Sequence, residues 1–221
     1  MINKRPRPAE ALTLLFAGLL LTISIIFKNR IEERFPSLLI TYIFIMALQF
    51  IKPPQLNSGL MKGRDIVVPL ISVLFIFDSL EWIVHPVNPV DIDPLLLRLD
   101  YMLTGTYPTV ALQRFTTPLL TEIMQIAYTS YYFIPVILGI SLKIKKREED
   151  FDRALFLVLL CFYLSYVGYI LWPALGPRFY IKELHTDELR GLLLMKPIHE
   201  LLNKLEGIKR DAFPSGHTAI S

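Results

Sequence analysis

The sequence predicts an all-α fold: a polytopic membrane helical bundle with five full spans, the start of a sixth, and short interfacial helices. Of the 221 residues, 53% are hydrophobic and only 19% are charged, and the mean hydropathy is +0.46, which is too apolar for an ordinary soluble domain. Apolar runs of bilayer length recur along the chain, and Lys and Arg concentrate in alternate loops. The runs are residues 11–27, 35–51, 66–84, 118–142 and 154–172, and a sixth begins at Ala212.

The first two runs, 11–27 and 35–51, are uncharged and, at about 17 residues each, are short for spans. No small-x-small cleavage site follows the first run before Lys28, so it is interpreted as a retained span and not as a signal peptide. The third run contains Asp78 and Glu81. Acidic side chains are costly in lipid, so Asp78 is expected to pair with a polar neighbour in the bundle, with a substrate or proton-relay role as the alternative.

The fourth run carries Glu122 near one end. On the fifth run Tyr163, Tyr166 and Tyr169 follow one another at i, i+3 and i+6 and share a helical face. This pattern indicates packing against neighbouring helices, and leaves open that the face borders a lipid groove. Nothing suggests a separate soluble domain, so residues 1–221 are interpreted as one integral membrane domain.

Loop charge gives the expected orientation. The basic N-terminus, the 52–65 loop and the 143–153 loop share one side, which is predicted to be cytoplasmic. The dense Lys143–Arg147 cluster is interpreted as a topology anchor on anionic headgroups. The 173–211 loop then lies on the extracytoplasmic side although it is itself basic, which suggests that its charges have another role, such as holding an anion.

Residues 91–103 and 197–208 lie in loops between the predicted spans. Both have amphipathic patterns typical of short helices that lie in the membrane interface. Asp91 and Asp93 stand immediately before Pro94 and the first of these helices. They are interpreted as an N-cap pair, with metal ligation as the alternative.

The segment that says most about function is Pro214-Ser215-Gly216-His217, at the predicted start of a helix. A helix start offers unpaired N–H groups and the positive end of the macrodipole, so it favours a phosphate. Gly216 lets an anion approach the backbone, and His217 can give a proton to a departing oxygen. The alternative is a simple helix N-cap at Ser215 with an incidental histidine.

Arg178 is the second candidate. The Pro and Gly residues that follow the fifth run, Pro173, Gly176 and Pro177, stop the helix and present the guanidinium of Arg178 at the membrane surface. This planar, always-charged fork matches phosphate oxygens. An arginine at a span end is by itself an interface anchor, but on the same side as Ser215 and His217 it predicts a phosphate site.

These residues resemble the type 2 phosphatidic acid phosphatase and haloperoxidase superfamily. They are most similar to its inositol phosphorylceramide synthase branch, whose members carry a Gly-x-Arg-aromatic segment ahead of a Pro-Ser-x-His segment. The span order and the stretch 128–135 are similar as well. The resemblance implies a six-span bundle with an extracytoplasmic site that uses no metal and no cofactor. By position, Arg178 then binds phosphate, Ser215 and Gly216 form the phosphate cradle, and His217 is the general acid.

Two departures from the family pattern matter. The lysine that the phosphatases carry seven residues before the arginine is Leu171 here, and a proline precedes Arg178 instead of following it. This favours the transferase branch, with Lys182, Lys209 or Arg210 as the source of the missing cation. The third motif, an arginine followed by the nucleophilic histidine and its aspartate, is absent. The chain is therefore expected to be a C-terminally incomplete fragment or a natural truncation with negligible turnover.

Two functions remain open at this stage. The first is a membrane enzyme that hydrolyses or transfers a phosphorylated headgroup of a phospholipid or sphingolipid through a phosphohistidine intermediate. The second is a non-catalytic membrane protein that binds or transports lipid phosphate. Either function predicts lipid partners and no nucleic acid; neither headgroup, acceptor nor oligomeric state follows from the sequence.

Overall fold

The computed structural model describes residues 6–51, 58–185, 191–193, 197–198 and 208–220. Among these residues every regular element is a helix and none is a strand, which confirms the all-α prediction. The longer helices are α1 (Pro8–Ile26), α3 (Phe35–Phe50), α4 (Ser58–Ser79), α6 (Asp93–Thr104), α8 (Pro118–Ser130), α9 (Ile134–Ile144) and α10 (Glu148–Leu171). The short helices are α2 (Lys28–Ile31), α5 (Val84–Val87), α7 (Pro108–Leu112), α11 (Pro177–Tyr180) and α12 (Gly216–Ile220). Single 3-10 turns occupy Glu32–Arg34, Leu80–Trp82, Gln113–Phe115 and Lys182–Leu184.

Helix α10 is central to the bundle, because it packs against α1, α4, α9 and α12. Its tyrosine face is buried: Tyr163, Tyr166 and Tyr169 are 2%, 3% and 5% exposed. The Tyr163 hydroxyl lies 3.0 Å from the Thr13 hydroxyl, and the Phe16 ring stacks on Tyr163 with 4.5 Å between centroids. The predicted packing role of these tyrosines is confirmed.

In the part of the chain that the structure describes, two helices, α1 and α10, are long and apolar enough to cross a membrane, and a third span results if the bent pair α8 and α9 is counted as one. Helix α3 has only 16 residues, and the sequence of α4 carries Lys62, Arg64, Asp65 and Asp78. The structure therefore supports two or three of the five predicted spans. The spans at 35–51 and 66–84 stay predictions.

The run 118–142 is not one straight helix. Its two helices, α8 and α9, meet at an angle of 48°, with a turn at residues 131–133 between them. Pro135 lies at the start of α9, where its missing N–H and fixed φ are tolerated, whereas a continuous helix would place it in the interior. The bend brings the tyrosines of the 128–135 stretch to the end of α10.

The expectation for Asp78 is wrong. Its side chain is exposed on α4, and it pairs with none of the residues that the structure describes, so its partner in the bundle is not found there. Glu122, in contrast, is 8% exposed and accepts hydrogen bonds from the backbone of Leu192 at 2.9 Å and of Leu193 at 3.4 Å.

A set of ion pairs, the charged cluster, joins the ends of α1, α4, α9 and α10. Arg7 lies 2.6 Å from Asp65, and Lys143 lies 2.8 Å from the same carboxylate. Arg64 pairs with Glu10 at 2.6 Å. Buried charges need such partners, because an unpaired one is strongly destabilising. The cluster comprises Arg7, Glu10, Arg64, Asp65, Lys143, Glu148 and Asp152.

The cluster corrects the interpretation of Lys143 as an anchor on lipid headgroups, whereas Lys145 and Lys146 are exposed and their anchoring role stays a prediction. Lys143 is 6% exposed, with Asp65 and Glu148 as its partners. Arg147 pairs with Asp150 at 2.7 Å. A buried, doubly paired ammonium contributes to helix packing and not to membrane binding, which a count of loop charges cannot detect.

Asp65→Asn is expected to lower the free energy of unfolding by about 3 kcal/mol at neutral pH, because it removes a carboxylate shared by two cations. Burial opposes ionisation of Asp65, but hydrogen bonds from Lys143 and Arg7 outweigh it and lower the pKa of the carboxyl. Its contribution is thus complete above the unfolded-state pKa and is lost as the pH falls through the folded-state pKa. Thermal unfolding of the wild type and Asp65→Asn in detergent, from neutral pH into strong acid, measures the pH dependence of this contribution to stability.

The matched control is Asp150→Asn, which removes a carboxylate from a half-exposed pair and is expected to have little effect. A deficit in Asp65→Asn that stays constant into strong acid, or that Asp150→Asn reproduces, would contradict the account.

The predicted interfacial helix 91–103 corresponds to α6, of which Leu97 is buried while Leu95, Met102 and Leu103 are exposed. Most of the second predicted helix, 197–208, lies outside the described residues.

Candidate functional site

Two loops at the end of α10 form the site. The first site loop, residues 173–176, follows α10, and the second site loop, residues 208–215, leads into α12. The amide of Ala212 donates to the carbonyl of Ala174 at 3.1 Å, which joins the two loops directly. Residues nearly 40 positions apart in sequence are thereby held as one unit.

Asp93 fixes the first site loop. Its carboxylate is 2% exposed and accepts hydrogen bonds from the backbone of Leu175 at 2.9 Å and of Gly176 at 2.7 Å. Beside it, the amide of Ile92 donates to the carbonyl of Pro173 at 2.8 Å. A φ of +85° at Gly176, which favours glycine, turns the chain into α11. The carboxylate thus holds the backbone two residues before Arg178.

The N-cap interpretation of Asp91 and Asp93 is wrong. Helix α6 starts at Asp93 with no side-chain cap, because the Asp93 carboxylate is used by the first site loop. Asp91 instead pairs with Arg210 of the second site loop at 2.7 Å. The short segment before α6 therefore contacts both site loops, one through each aspartate. In the part of the chain that the structure describes, both carboxylates have protein groups as partners.

Arg178 is the second residue of α11. Its side chain is exposed, its guanidinium lies 5.1 Å from the ring centroid of Phe179, and it lines a cavity that His217 also lines.

Ser215 caps α12, since its hydroxyl accepts from the amide of Thr218 at 3.3 Å and from the Thr218 hydroxyl at 3.1 Å. The helix start predicted at this motif is confirmed. Gly216 lies against α10, and a Cβ at this position would come within 2.9 Å of the Tyr169 hydroxyl. A larger residue would require the buried Tyr169 side chain to shift, so Gly216 contributes to the depth at which His217 enters the site.

The imidazole of His217 lies among aromatic rings. Tyr128 and Tyr131 stack on it with centroid distances of 4.1 Å and 4.0 Å, and Tyr132 meets it edge-on at 6.1 Å. Its Nε2 is buried and has no hydrogen-bond partner in the part of the chain that the structure describes. A buried polar nitrogen without a partner is unfavourable, so the arrangement suits a ligand that supplies one.

The cavity that these residues line has a volume of about 420 Å³. Its polar end carries Arg178, Asp211, Ser215 and His217, and its walls come from the apolar faces of α4, α9 and α10. It extends as far as Asp65 in the charged cluster. The space therefore joins a polar mouth, which carries both basic and acidic side chains, to an apolar interior.

The sequence-predicted residues are not all brought together. Arg178, Ser215, Gly216 and His217 line the cavity, whereas Lys182 and Arg210 do not. Lys182 is exposed in the turn after α11, and Arg210 is engaged with Asp91 as described above.

Sequence reasoning missed three side chains that shape the site. The sequence pattern around Asp93 indicates a helix cap, and Tyr128 and Tyr131 stand out only as part of a stretch that is similar to the family. The available signal was the density of tyrosines at 128–132. Among the described residues, no group of three or more His, Cys, Asp or Glu side chains is placed to hold a metal ion.

Comparison with known proteins gives one family. A family model described as the PAP2 superfamily matches residues 95–221, which is more than half of the chain and includes both site loops. No curated protein matches the chain significantly, and no solved structure does.

Proposed function

The chain belongs to the PAP2 superfamily, and from this we propose that it is a membrane enzyme of lipid phosphate-ester chemistry, a phosphatase or phosphotransferase that uses a phosphohistidine intermediate. Superfamily membership supports the phosphatase or phosphotransferase class. The single observation that carries the proposal is that Arg178 and His217, 39 positions apart in the sequence, line one cavity whose walls are mostly apolar.

Arg178 supplies the charge that holds the phosphate. A guanidinium donates two parallel hydrogen bonds to two nonbridging oxygens and neutralises part of their charge. The Ser215 hydroxyl, at the same end of the cavity, is a further donor. These contacts strengthen as charge builds up on the oxygens in the transition state, which is the condition for catalysis.

His217 supplies the proton. When the bond between phosphorus and the leaving oxygen breaks, that oxygen takes a proton from Nε2, and the imidazolium becomes a neutral imidazole. The nucleophile in the family route is the histidine of the third motif, which these 221 residues do not contain. Attack of water on the phosphohistidine completes a hydrolysis, and attack of a lipid hydroxyl completes a transfer.

The order Gly176-Pro177-Arg178-Phe179, with Leu171 in the lysine position, favours the inositolphosphotransferase branch over a simple lipid phosphatase. In that branch the acceptor is a lipid hydroxyl. The apolar walls of the cavity support a phospholipid or sphingolipid substrate, since hydrocarbon chains are stable only where water is excluded.

The membrane placement follows from the two ends of α10. Its 24 residues extend about 36 Å at about 1.5 Å per residue, enough to separate the charged cluster from the site by the thickness of a bilayer. We place the basic N-terminus and the charged cluster on the cytoplasmic side and the site on the extracytoplasmic side. In this arrangement 35–51 and 66–84 complete the five spans.

Arg178→Ala and His217→Ala are each expected to weaken binding of a short-chain phosphatidic acid at least about tenfold, since a hydrogen bond to a charged group contributes about 1.5–3 kcal/mol. Binding is measured on the purified chain in nanodiscs, with diacylglycerol as the neutral competitor. Arg114→Ala is the matched control, because Arg114 is also exposed and lies on the same predicted side.

Equal binding by all variants, or equal binding of the neutral lipid, would exclude this site. Turnover is then assayed on the complete gene product with labelled lipid phosphate. Loss of turnover in both alanine variants supports the enzyme, and binding without any turnover supports the lipid-phosphate binding or transport alternative.

A further inference from the structure

The environment of the His217 ring is more specific than a general acid requires. Tyr128 and Tyr131 both lie nearly parallel to it, at 22° and 28°, with centroids 4.1 Å and 4.0 Å away. Two six-membered rings cannot both stack at such distances on one face of an imidazole without overlapping. They therefore occupy opposite faces, and the imidazole lies between them.

The chain makes this arrangement through the bend between α8 and α9. Tyr128 is in the last turn of α8, and Tyr131 is its C-cap, directly after Ser130. Three residues apart at a helix end, the two side chains leave on the same side. Tyr128 and Tyr131, whose rings lie on either side of the imidazole, are called the clamp. Tyr131 is 8% exposed and packs edge-on against Phe162 of α10, so the Tyr131 side of the clamp is fixed to the central helix.

The histidine is fixed from its own side as well. Gly216 lies against the Tyr169 hydroxyl, which sets the backbone immediately before His217. With the backbone set and both ring faces covered, rotation of the imidazole about its Cβ–Cγ bond is blocked, because it would turn the ring plane into the tyrosine rings. The clamp thus restricts the direction of Nε2, the buried nitrogen that has no partner among the described residues.

We propose that Tyr128 and Tyr131 are positioning residues that hold the His217 imidazole between their rings, in the orientation needed to donate a proton to a phosphate ester. The proposal rests on the proposed function of the site. Flat aromatic faces suit this task because stacking is favourable for the neutral imidazole, and the ring quadrupole also attracts the imidazolium. The clamp therefore holds the histidine both before and after proton transfer.

The role depends on the aromatic face and not on the phenol hydroxyl. Tyr128→Phe and Tyr131→Phe keep the face, whereas Tyr128→Leu and Tyr131→Leu keep apolar bulk without it. Tyr132→Leu is the matched control, because Tyr132 is in the same segment but meets the imidazole only edge-on, at 6.1 Å.

The test is side-chain NMR of histidine-labelled protein in nanodiscs, with the His217 signals assigned by their loss in His217→Gln. A ring between two aromatic faces has its proton signals shifted strongly upfield. We expect this shift in the wild-type and Phe variants, partial loss of it in each Leu variant, and retention in Tyr132→Leu. Binding of the short-chain phosphatidic acid is expected to weaken about tenfold in each Leu variant and to be restored in the Phe variants.

The proposal is overturned if the His217 signals are unshifted in the wild type, if the Leu variants bind as well as the Phe variants, or if Tyr132→Leu has the largest effect. A misfolded variant is recognised from the signals of the other histidines, which a local change leaves in place. If the wild-type chain shows the upfield shift but binds no lipid phosphate, the proposed function fails while the clamp remains. If it binds lipid phosphate without the shift, the clamp fails and the proposed function remains.

Discussion

Gly168→Ala is expected to weaken lipid phosphate binding strongly while the bundle still folds. Helix α10 passes so close to the second site loop that a Cβ on Gly168 would lie within 3.0 Å of both Cγ and Cδ of Pro214. These atoms belong to a ring and cannot rotate away as a flexible side chain would. Either α10 or the loop must shift, and overpacking of this kind costs about 1–3 kcal/mol.

The loop is expected to move, because it is held by fewer contacts than the central helix. Pro214 stands three residues before His217, so a displacement of even 1 Å moves the imidazole out of its position, and such errors are costly in a site. We expect at least a tenfold loss of phosphatidic acid binding. Equilibrium binding in nanodiscs and thermal unfolding in detergent separate the loss of the site from loss of the fold.

Gly18→Ala is the control for this substitution. Gly18 is also within a long helix, α1, and a Cβ there meets nothing within 4 Å, so alanine should stabilise the helix slightly. If Gly168→Ala binds lipid phosphate as well as Gly18→Ala does, α10 does not set the position of the Ser215–His217 segment, and the account of the site is wrong.

Asp93→Ala is expected to have the second largest effect. It leaves the amides of Leu175 and Gly176 without their acceptor in a buried position, and an unsatisfied buried donor costs about 1–3 kcal/mol. The first site loop is then free to change conformation, which displaces Arg178. Lipid phosphate binding should weaken about tenfold or more, even though Asp93 touches no substrate.

Asp93→Asn separates the effect of the side chain's shape from the effect of its charge. The amide fills the same space, but it can turn only one oxygen toward two N–H donors, so we expect an intermediate loss of binding. Asp100→Asn, on the same helix and half-buried, is the matched control and should leave binding unchanged. Full binding in Asp93→Ala would mean that the loop keeps its form without this carboxylate.

The features that depend on a local sequence pattern could be predicted from the sequence. The helical class, the tyrosine face of α10 and the helix start at Ser215 follow from periodicity and capping, which neighbouring residues decide. Arg178 and His217 were found because their residue types belong to phosphate chemistry and to a similar family pattern. The structure places both at one cavity, as that pattern implies.

The features of the fold and the site that the sequence did not predict depend on contacts between segments that are distant in the chain. Asp93 looked like a cap because an acidic residue before a proline is typical of a helix start, yet its partners lie 82 and 83 positions away. Lys143 looked like a headgroup anchor because its partner, Asp65, is 78 positions away. The arrangement around His217 does not follow from the sequence, because the run 118–142 has the length and hydropathy of one span and its pattern does not show the bend between α8 and α9.

The central claim is that Arg178 and His217 bind the same phosphate. The most direct measurement is a titration of labelled protein in nanodiscs with inorganic phosphate, followed through the side-chain NMR signals of Arg178 and His217. The account predicts that both signals move along one binding curve with one dissociation constant, and that Arg178→Ala weakens the response of His217. Signals that stay unchanged, or that move with two different dissociation constants, would contradict it.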